Sequence, residues 1–310
     1  MENSMEEILI THGLTKKYRA VTALDNVNLT VCRGDIYGFV GANGAGKTTL
    51  IRLVCGLAYP TSGSFELFGS PDGSPEISAA RRRTSVIVEA PALYKNMTAR
   101  ENLYMQCRIL GTDTRRVDEY LEIVGLSKVA ATSHRAGNFS QGMHQRLGIA
   151  MALCGDPEFM ILDEPLNGLD PQGIFDVRNL ILKLNRESGI TFLVSSHILS
   201  ELSLVANKYG FISDGKLVKE ITADELHRQC RRSIDIDLHD PAAAGEYLAE
   251  QLGIKDYTHE NGTLRIFDDV GIGRLVAALE AGGFPVLNIM SREESLEDYY
   301  LKVTGGRTDV

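Results

Sequence analysis

Short apolar runs alternate with amphipathic stretches over the first two thirds of the chain. Residues 8–10, 27–31, 36–40, 64–68, 84–88, 159–162, 191–195 and 209–212 have strand length and are rich in Ile, Leu, Val and Phe. The later runs are separated by helix-length segments, which predicts a parallel α/β sheet. The early ones lie closer together and predict an antiparallel flap. Between about Thr98 and Met151 the strand signal vanishes. Thr98-Ala99-Arg100-Glu101 is a capping box, in which the hydroxyl bonds the Glu101 amide and the carboxylate reaches back. A helical insert over about 92–155 is therefore expected. A second capping box, Thr222-Ala223-Asp224-Glu225, starts a short charged helix that ends the first domain at 228.

A smaller pattern follows, over residues 229–310. Ile234, Ile236 and Leu238 alternate with Asp235 and Asp237, as in a half-buried strand. Pro241 suits a first helical position, and Ala244, Tyr247, Leu248 and Leu252 share one helical face. Residues 263–267 and 284–289 read as further strands. Ile272, Leu275, Val276 and Leu279 mark another helix, and a last helix runs over 295–304. Two strand–helix units of this size suggest a small ferredoxin-like α+β domain.

Residues 41–48 read Gly-Ala-Asn-Gly-Ala-Gly-Lys-Thr, between a buried-strand pattern and a helical one. Three glycines let the backbone curl so that successive N–H groups face a polyphosphate. Lys47 supplies a point charge for the β- and γ-phosphates, and Thr48 an oxygen for Mg²⁺. The loop opens a helix, where anions are stabilised.

Composition narrows the setting. The 310 residues are 44% hydrophobic and 24% charged, ordinary for a globular protein with a real core. A net charge of −9 argues against non-specific nucleic-acid binding. The five cysteines include no C-x-x-C pair, and several lie in apolar stretches, so they read as buried small hydrophobes in a reducing compartment. Residues 1–7 are acidic and lack the apolar core of a signal peptide, and no run approaches membrane-span length. At a membrane, another chain would do the spanning.

Further motifs turn the phosphate loop into a specific constellation. The apolar run 159–162 ends in Asp163 and Glu164; the first can hold Mg²⁺ through water and the second can polarise an attacking water. Upstream, Phe139-Ser140-Gln141-Gly142 starts another anion-ready helix. Gly168-Leu169-Asp170 and an isolated His197 after a strand complete the order. In this series the chain resembles the ATP-binding subunit of an ABC transporter over about residues 6–225. The segment Ser295-Leu296-Glu297-Asp298-Tyr299-Tyr300 is similar to the end of single-cassette subunits from bacitracin- and lantibiotic-export systems.

That resemblance implies a P-loop ATPase cassette, with parallel core sheet, antiparallel flap and helical insert, followed by the small α+β domain. It assigns Tyr18 to adenine stacking and Asn43, Gly44, Ala45, Gly46, Lys47, Thr48 and Thr49 to the phosphate cradle. Ser140, Gln141 and Gly142 occupy the signature that meets the γ-phosphate held by an opposite subunit. Asp163 is the Mg²⁺-associated carboxylate, Glu164 the general base, Asp170 part of the loop crossing the dimer seam, and His197 the γ-phosphate sensor. The signature departs from the family pattern, with Gln141 for the usual glycine and Met143 for the usual glutamine. The glutamine loop carries Glu89, which matches the lantibiotic-immunity and bacitracin-resistance branch; a carboxylate there can accept a Mg²⁺-bound water and adds negative charge beside ATP.

The same resemblance implies a head-to-tail homodimer, or a pair with a closely related cassette, holding two ATPs in its seam. It implies a separate membrane permease, the cytoplasmic face of the membrane as the place of work, and no nucleic-acid partner. A soluble cassette acting on ribosomes or DNA is the alternative; it lacks support in the acidic balance and in the absence of a twin cassette. A third reading makes the C-terminal module a ligand sensor.

Overall fold

The computed structural model describes residues 6–230, 233–292 and 295–306. The chain divides into two compact units, Met1–Ala223 with Tyr300–Val310, and Asp224–Tyr299. The tail that sequence patterning groups with the accessory domain thus counts, from Tyr300 on, with the first unit.

A six-stranded sheet runs through the first unit in the order Lys216–Thr222, Lys208–Ser213, Ile36–Val40, Thr191–Ser196, Phe159–Asp163, Thr84–Ile87. Every neighbouring pair is parallel except the first, a hairpin at the edge. The strands Ile36–Val40, Phe159–Asp163 and Thr191–Ser196 are buried at every residue. That double-sided burial is why they read as unbroken apolar runs instead of alternating ones.

Against this core lies an antiparallel sheet in the order Val21–Val27, Glu7–Tyr18, Ser62–Leu67, Ser70–Pro71, with Thr30–Cys32 also paired to Glu7–Tyr18. The helix Lys47–Val54 is packed between them, burying Leu50, Ile51, Leu53 and Val54 in one cluster with Leu9, Leu24, Phe39 and Phe65. The run 27–31 is not one strand. It breaks after Val27 because Thr11 Oγ1 donates to the Val27 carbonyl at 2.9 Å and accepts the Leu29 amide at 2.9 Å, which takes over the ladder there. The edge strand Lys216–Thr222 has no counterpart in the apolar pattern, because most of it faces solvent.

The helices Ala99–Leu110, Val117–Ile123, Ser127–Ala130 and Gln141–Leu153 form the insert. The capping box at Thr98 is made in both directions, Glu101 N to Thr98 Oγ1 at 3.2 Å and Thr98 N to Glu101 Oε2 at 2.8 Å. Among the described residues no helix is long and apolar enough to cross a membrane.

The second unit runs strand Ser233–Asp237, helix Pro241–Leu252, strands Tyr257–Glu260 and Thr263–Ile266, helix Ile272–Ala281 and strand Asn288–Arg292. Its antiparallel sheet places these strands in the order second, third, first, fourth, the β-α-β-β-α-β arrangement of ferredoxin-like units. Ile234, Ile236, Leu248, Leu264, Leu275 and Leu279 fill its core. The last strand starts at Asn288, later than the apolar run 284–289 suggests, because Phe284 and Val286 pack against the core as the chain enters.

Candidate active site

Three adjacent parallel strands deliver the chemistry-bearing residues to one edge of the sheet. Val40 is in register with Ser196, and Asp163 with Ser195. Side chains at or just beyond these positions therefore gather outside the carboxyl ends of the strands, where open α/β sheets bind ligands.

The loop 41–48 leaves the strand Ile36–Val40 and turns into the helix Lys47–Val54. Gly44 and Gly46 lie in the left-handed region, at φ 81° and 115°. A Cβ on Gly46 would also stand 2.5 Å from the Ala23 carbonyl oxygen, so only glycine fits. Ala45 is buried, its amide bonded to Ala42 O at 3.1 Å, while Asn43 is exposed and Thr49 half-buried.

Lys47 is 5% exposed, and its Nζ donates to Gly41 O at 2.6 Å and Ala42 O at 3.1 Å. It also stands 3.1 Å from Glu164 Oε1. Thr48 Oγ1 donates to Asp163 Oδ2 at 2.8 Å, and the other Asp163 oxygen accepts from Ser195 Oγ at 2.5 Å. Ser195 Oγ in turn accepts the Glu164 amide at 2.9 Å. His197 Nδ1 lies 2.8 Å from Glu164 Oε2. Glu164 itself sits at φ 50°, an uncommon conformation for a glutamate, which turns its carboxylate back over Lys47. Lys47, Thr48, Asp163, Glu164 and His197 are thus one connected group.

Two members of this neighbourhood escape motif reading. Ser195 is its hub, yet in sequence it is only a small polar residue ending an apolar strand. Glu201, in the short helix Leu199–Leu202, has its carboxyl raised above the ordinary range by burial, with His197 pulling it down and Glu164 pushing it up.

A second group forms around the start of the helix Gln141–Leu153. Ser140 caps it, Oγ accepting the Met143 amide at 3.3 Å. Gln141 Nε2 donates to Asn167 O at 3.3 Å, so the residue replacing the usual glycine reaches the loop before Asp170. A Cβ on Gly142 would come within 3.3 Å of Gly173 Cα, so two helices approach backbone to backbone there. Asp170 Oδ1 accepts the Gly173 amide at 3.0 Å and caps the helix Pro171–Ser188. The segment 164–170 joins the two groups, its first turn closed by Asn167 N to Glu164 O at 3.2 Å.

Tyr18 ends its strand opposite Val21, half-exposed, with Lys16 Nζ 4.9 Å from the ring centroid. The strand it pairs with carries Ala23 against Gly46. Glu89 makes its ion pair away from the carboxylates. At φ 59° it turns outward and pairs with Arg52 Nη2 at 3.3 Å.

The donor set suits a magnesium-nucleotide. Among the described residues Glu164 Oε1 is buried without a hydrogen bond, with Lys47 in ion-pair contact. A polyphosphate, which compensates Lys47, and a water, which donates to the carboxylate, answer both needs. Thr48 and Asp163 offer hard oxygens of the kind Mg²⁺ prefers. None of the five cysteines is in a disulfide.

Comparisons with known proteins agree with this geometry. The family model described as ABC transporter matches residues 24–167. The chain is 45% identical over 307 residues to the bacitracin transport ATP-binding protein BcrA of Bacillus licheniformis, covering 98% of this chain and 99% of that one. It is 39% identical over 213 residues to the lantibiotic transport ATP-binding protein SrtF of Streptococcus pyogenes, covering 69% and 90%. Among solved structures, a dimeric post-hydrolysis state of the ATP-binding cassette MJ0796 bound to ADP and Pi superposes with a TM-score of 0.62 at 26% identity, covering 70% of this chain and 99% of that one.

Proposed function

The chain belongs to the ABC transporter family as an ATP-binding subunit, and from that premise we propose that it powers export of a peptide antibiotic or similar amphiphile through a separate membrane permease. It is an ATPase. The observation that carries its chemistry is the Glu164 carboxylate gripped at both oxygens, by Lys47 and by His197, beside the Thr48–Asp163 pair. The observation that carries its cargo class is similarity to the bacitracin and lantibiotic transport proteins over most of their lengths.

In this reading the amides of 43–49 and the Lys47 ammonium bind the β- and γ-phosphates of ATP, and Tyr18 stacks on the adenine. Mg²⁺, held through Thr48 and Asp163, would neutralise the charge on the phosphate oxygens. Glu164 orients and deprotonates the attacking water. His197 fixes the glutamate and senses the terminal phosphate; Ser195 holds the Asp163 carboxylate and the Glu164 amide in mutual register.

Ser140 and Gly142 lie in their own group, so they serve the nucleotide of a twin chain. Two copies pack head to tail, and the helix N-terminus led by Ser140 caps the phosphate held by the partner's loop. Hydrolysis severs that bridge and lets the pair open, which a permease converts into alternating access. The chain works from the cytoplasmic face, peripheral to the membrane.

The permease docks on the insert side of the first unit. Tyr94, Tyr104, Met105, Ile109 and Leu110 are exposed there. A cleft of about 600 Å³ lies beside them, lined by Val88, Ala90, Pro91, Gln106, Leu110 and Gly148 among others. Pro91 packs directly onto Gly148 of the Ser140-led helix, where no Cβ fits. Residues 89–97 thereby connect the ATP side to the docking side.

The test is tolerance. Co-expression with its permease is expected to protect a sensitive host against a cyclic or lanthionine-containing peptide antibiotic, and Glu164→Gln to abolish protection. Equal protection by the Glu164→Gln pair would remove ATP-driven export.

A further inference from the structure

Gln141 crosses from the helix Gln141–Leu153 to the loop that carries the glutamate of its own chain. Its Nε2 donates to Asn167 O at 3.3 Å. The amide also lies against Gly168: a Cβ there would stand 2.8 Å from Gln141 Nε2 and 3.3 Å from Oε1. Gly168 sits at φ 72°, where a side chain would be strained as well, so this residue leaves room for the amide. Between Asn167 and Glu164 the backbone is stiff. Asn167 N donates to Glu164 O at 3.2 Å, Pro165 restricts φ at the second position of the turn, and Pro165 and Leu166 are buried. A pull on Asn167 O therefore reaches Glu164, whose own amide is held by Ser195 Oγ at 2.9 Å.

The root of this side chain is fixed as well. Gln141 follows Ser140, whose Oγ accepts the Met143 amide at 3.3 Å and whose carbonyl accepts the His144 amide at 2.9 Å. Next in the chain, Gly142 meets the helix Pro171–Ser188 backbone to backbone, an added Cβ standing 3.3 Å from Gly173 Cα. A glycine at 141 would have no atom to reach Asn167, so the tie belongs to the side chain that replaces it. We propose that Gln141 is a positioning residue for Glu164 of its own chain, tying the Ser140-led helix to the glutamate's turn so that seating of that helix on the partner's nucleotide sets the base at the chain's own. The proposal rests on the head-to-tail reading, in which one chain's helix caps the nucleotide held by the other. Such coupling is reciprocal in binding: a nucleotide that settles Glu164 also settles the helix.

The test separates the two sites with mixed dimers of full chains, combined before MgATP is added. Glu164→Gln silences one base. Gln141→Met keeps length and helix propensity while removing the donor. Residue 141 is exposed, so the melting temperature of Gln141→Met is expected within about 2 °C of the parent. In the first mixture Gln141→Met sits in the chain with the working base, facing Glu164→Gln in large excess. In the second the parent chain faces an excess of the Glu164→Gln, Gln141→Met double variant, so only the capping helix is altered. ATP turnover per working base is expected to be roughly two- to tenfold slower in the first mixture than in the second, the worth of one hydrogen bond. Equal rates, or a slower second mixture, overturn the proposal, since Gln141 then acts on neither site or on the partner's phosphate. Glu164→Gln that stays monomeric by light scattering in saturating MgATP overturns the head-to-tail reading instead, so the two failures are distinct.

Discussion

Lys47 Nζ stands 3.1 Å from Glu164 Oε1, with the lysine side chain 5% and the glutamate 19% exposed. A buried cation and a largely buried carboxylate are thus paired. When polyphosphate draws on Lys47, the glutamate loses that partner and keeps His197. That exchange leaves Glu164 Oε1 open to accept a hydrogen bond from the attacking water. Glu164→Gln is expected to bind MgATP at least as tightly as the parent, to lose a hundredfold or more in kcat by the usual worth of a general base, and to accumulate as dimers in MgATP. Single-turnover kinetics and light scattering read both outcomes; fast turnover in the variant removes Glu164 as the base.

Ser195→Ala probes the hub. The change strips a donor from Asp163 and one of two acceptors from the Glu164 amide, which keeps Ser195 O at 3.2 Å, so a buried carboxylate oxygen is left short of a partner. A cost of about 1–3 kcal/mol is expected for such orphaned groups, read as a lower urea midpoint together with a roughly tenfold fall in kcat. KM for ATP should move little, because Ser195 contacts neither Lys47 nor the loop amides. Parent-like kcat would confine Ser195 to a packing role.

Residues whose chemistry is local were legible in the sequence. The loop 41–48 announces itself through glycine spacing, and Thr98 and Glu101 through a capping box made as expected. Ser195 was hidden, because its value comes from standing in register with Asp163, on a strand remote in sequence. The break after Val27 was hidden for a like reason, since it depends on the hydroxyl of Thr11. Tyr300 falls in a readable helix, but nothing local says that Phe211 receives it. Glu89 was located by motif, but its ion pair with Arg52 was not, since that partner lies on a helix remote in sequence.

The pair that restrains Glu89 is weak. Its side chain is 72% exposed and that of Arg52 46%, so the ion pair contributes no more than about 1 kcal/mol. If the carboxylate swings inward during turnover, its charge raises the need for a divalent ion. Glu89→Gln is then expected to lower the Mg²⁺ concentration for half-maximal ATPase by roughly two- to fivefold with little change in melting temperature, and Arg52→Ala to raise it. Mg²⁺ titrations that overlay for all three proteins would leave Glu89 a solvated loop residue.

Glu158 supplies a pH-dependent clamp far from the chemistry. Arg83 donates to its two carboxylate oxygens at 2.6 and 2.9 Å, and Arg33 adds a third bond at 3.0 Å. Arg83 first, then Arg33, hold the carboxyl down from 4.5 to about 2. A folded-state pKa below the unfolded one gives stability that is complete above the unfolded value and is lost as pH falls. The loss therefore spans pH 4.5 down to about 2. With side-chain exposures of 41% and 40% for Arg83 and Glu158, screening limits the effect to roughly 1 kcal/mol. Glu158→Gln is expected to be less stable than the parent at pH 7 by about that amount, and the difference should shrink steadily below pH 4.5. Urea unfolding at pH 7, 5, 4 and 3 measures it; a gap that stays constant to pH 3 means that the arginines stabilise Glu158 through packing and not through its charge.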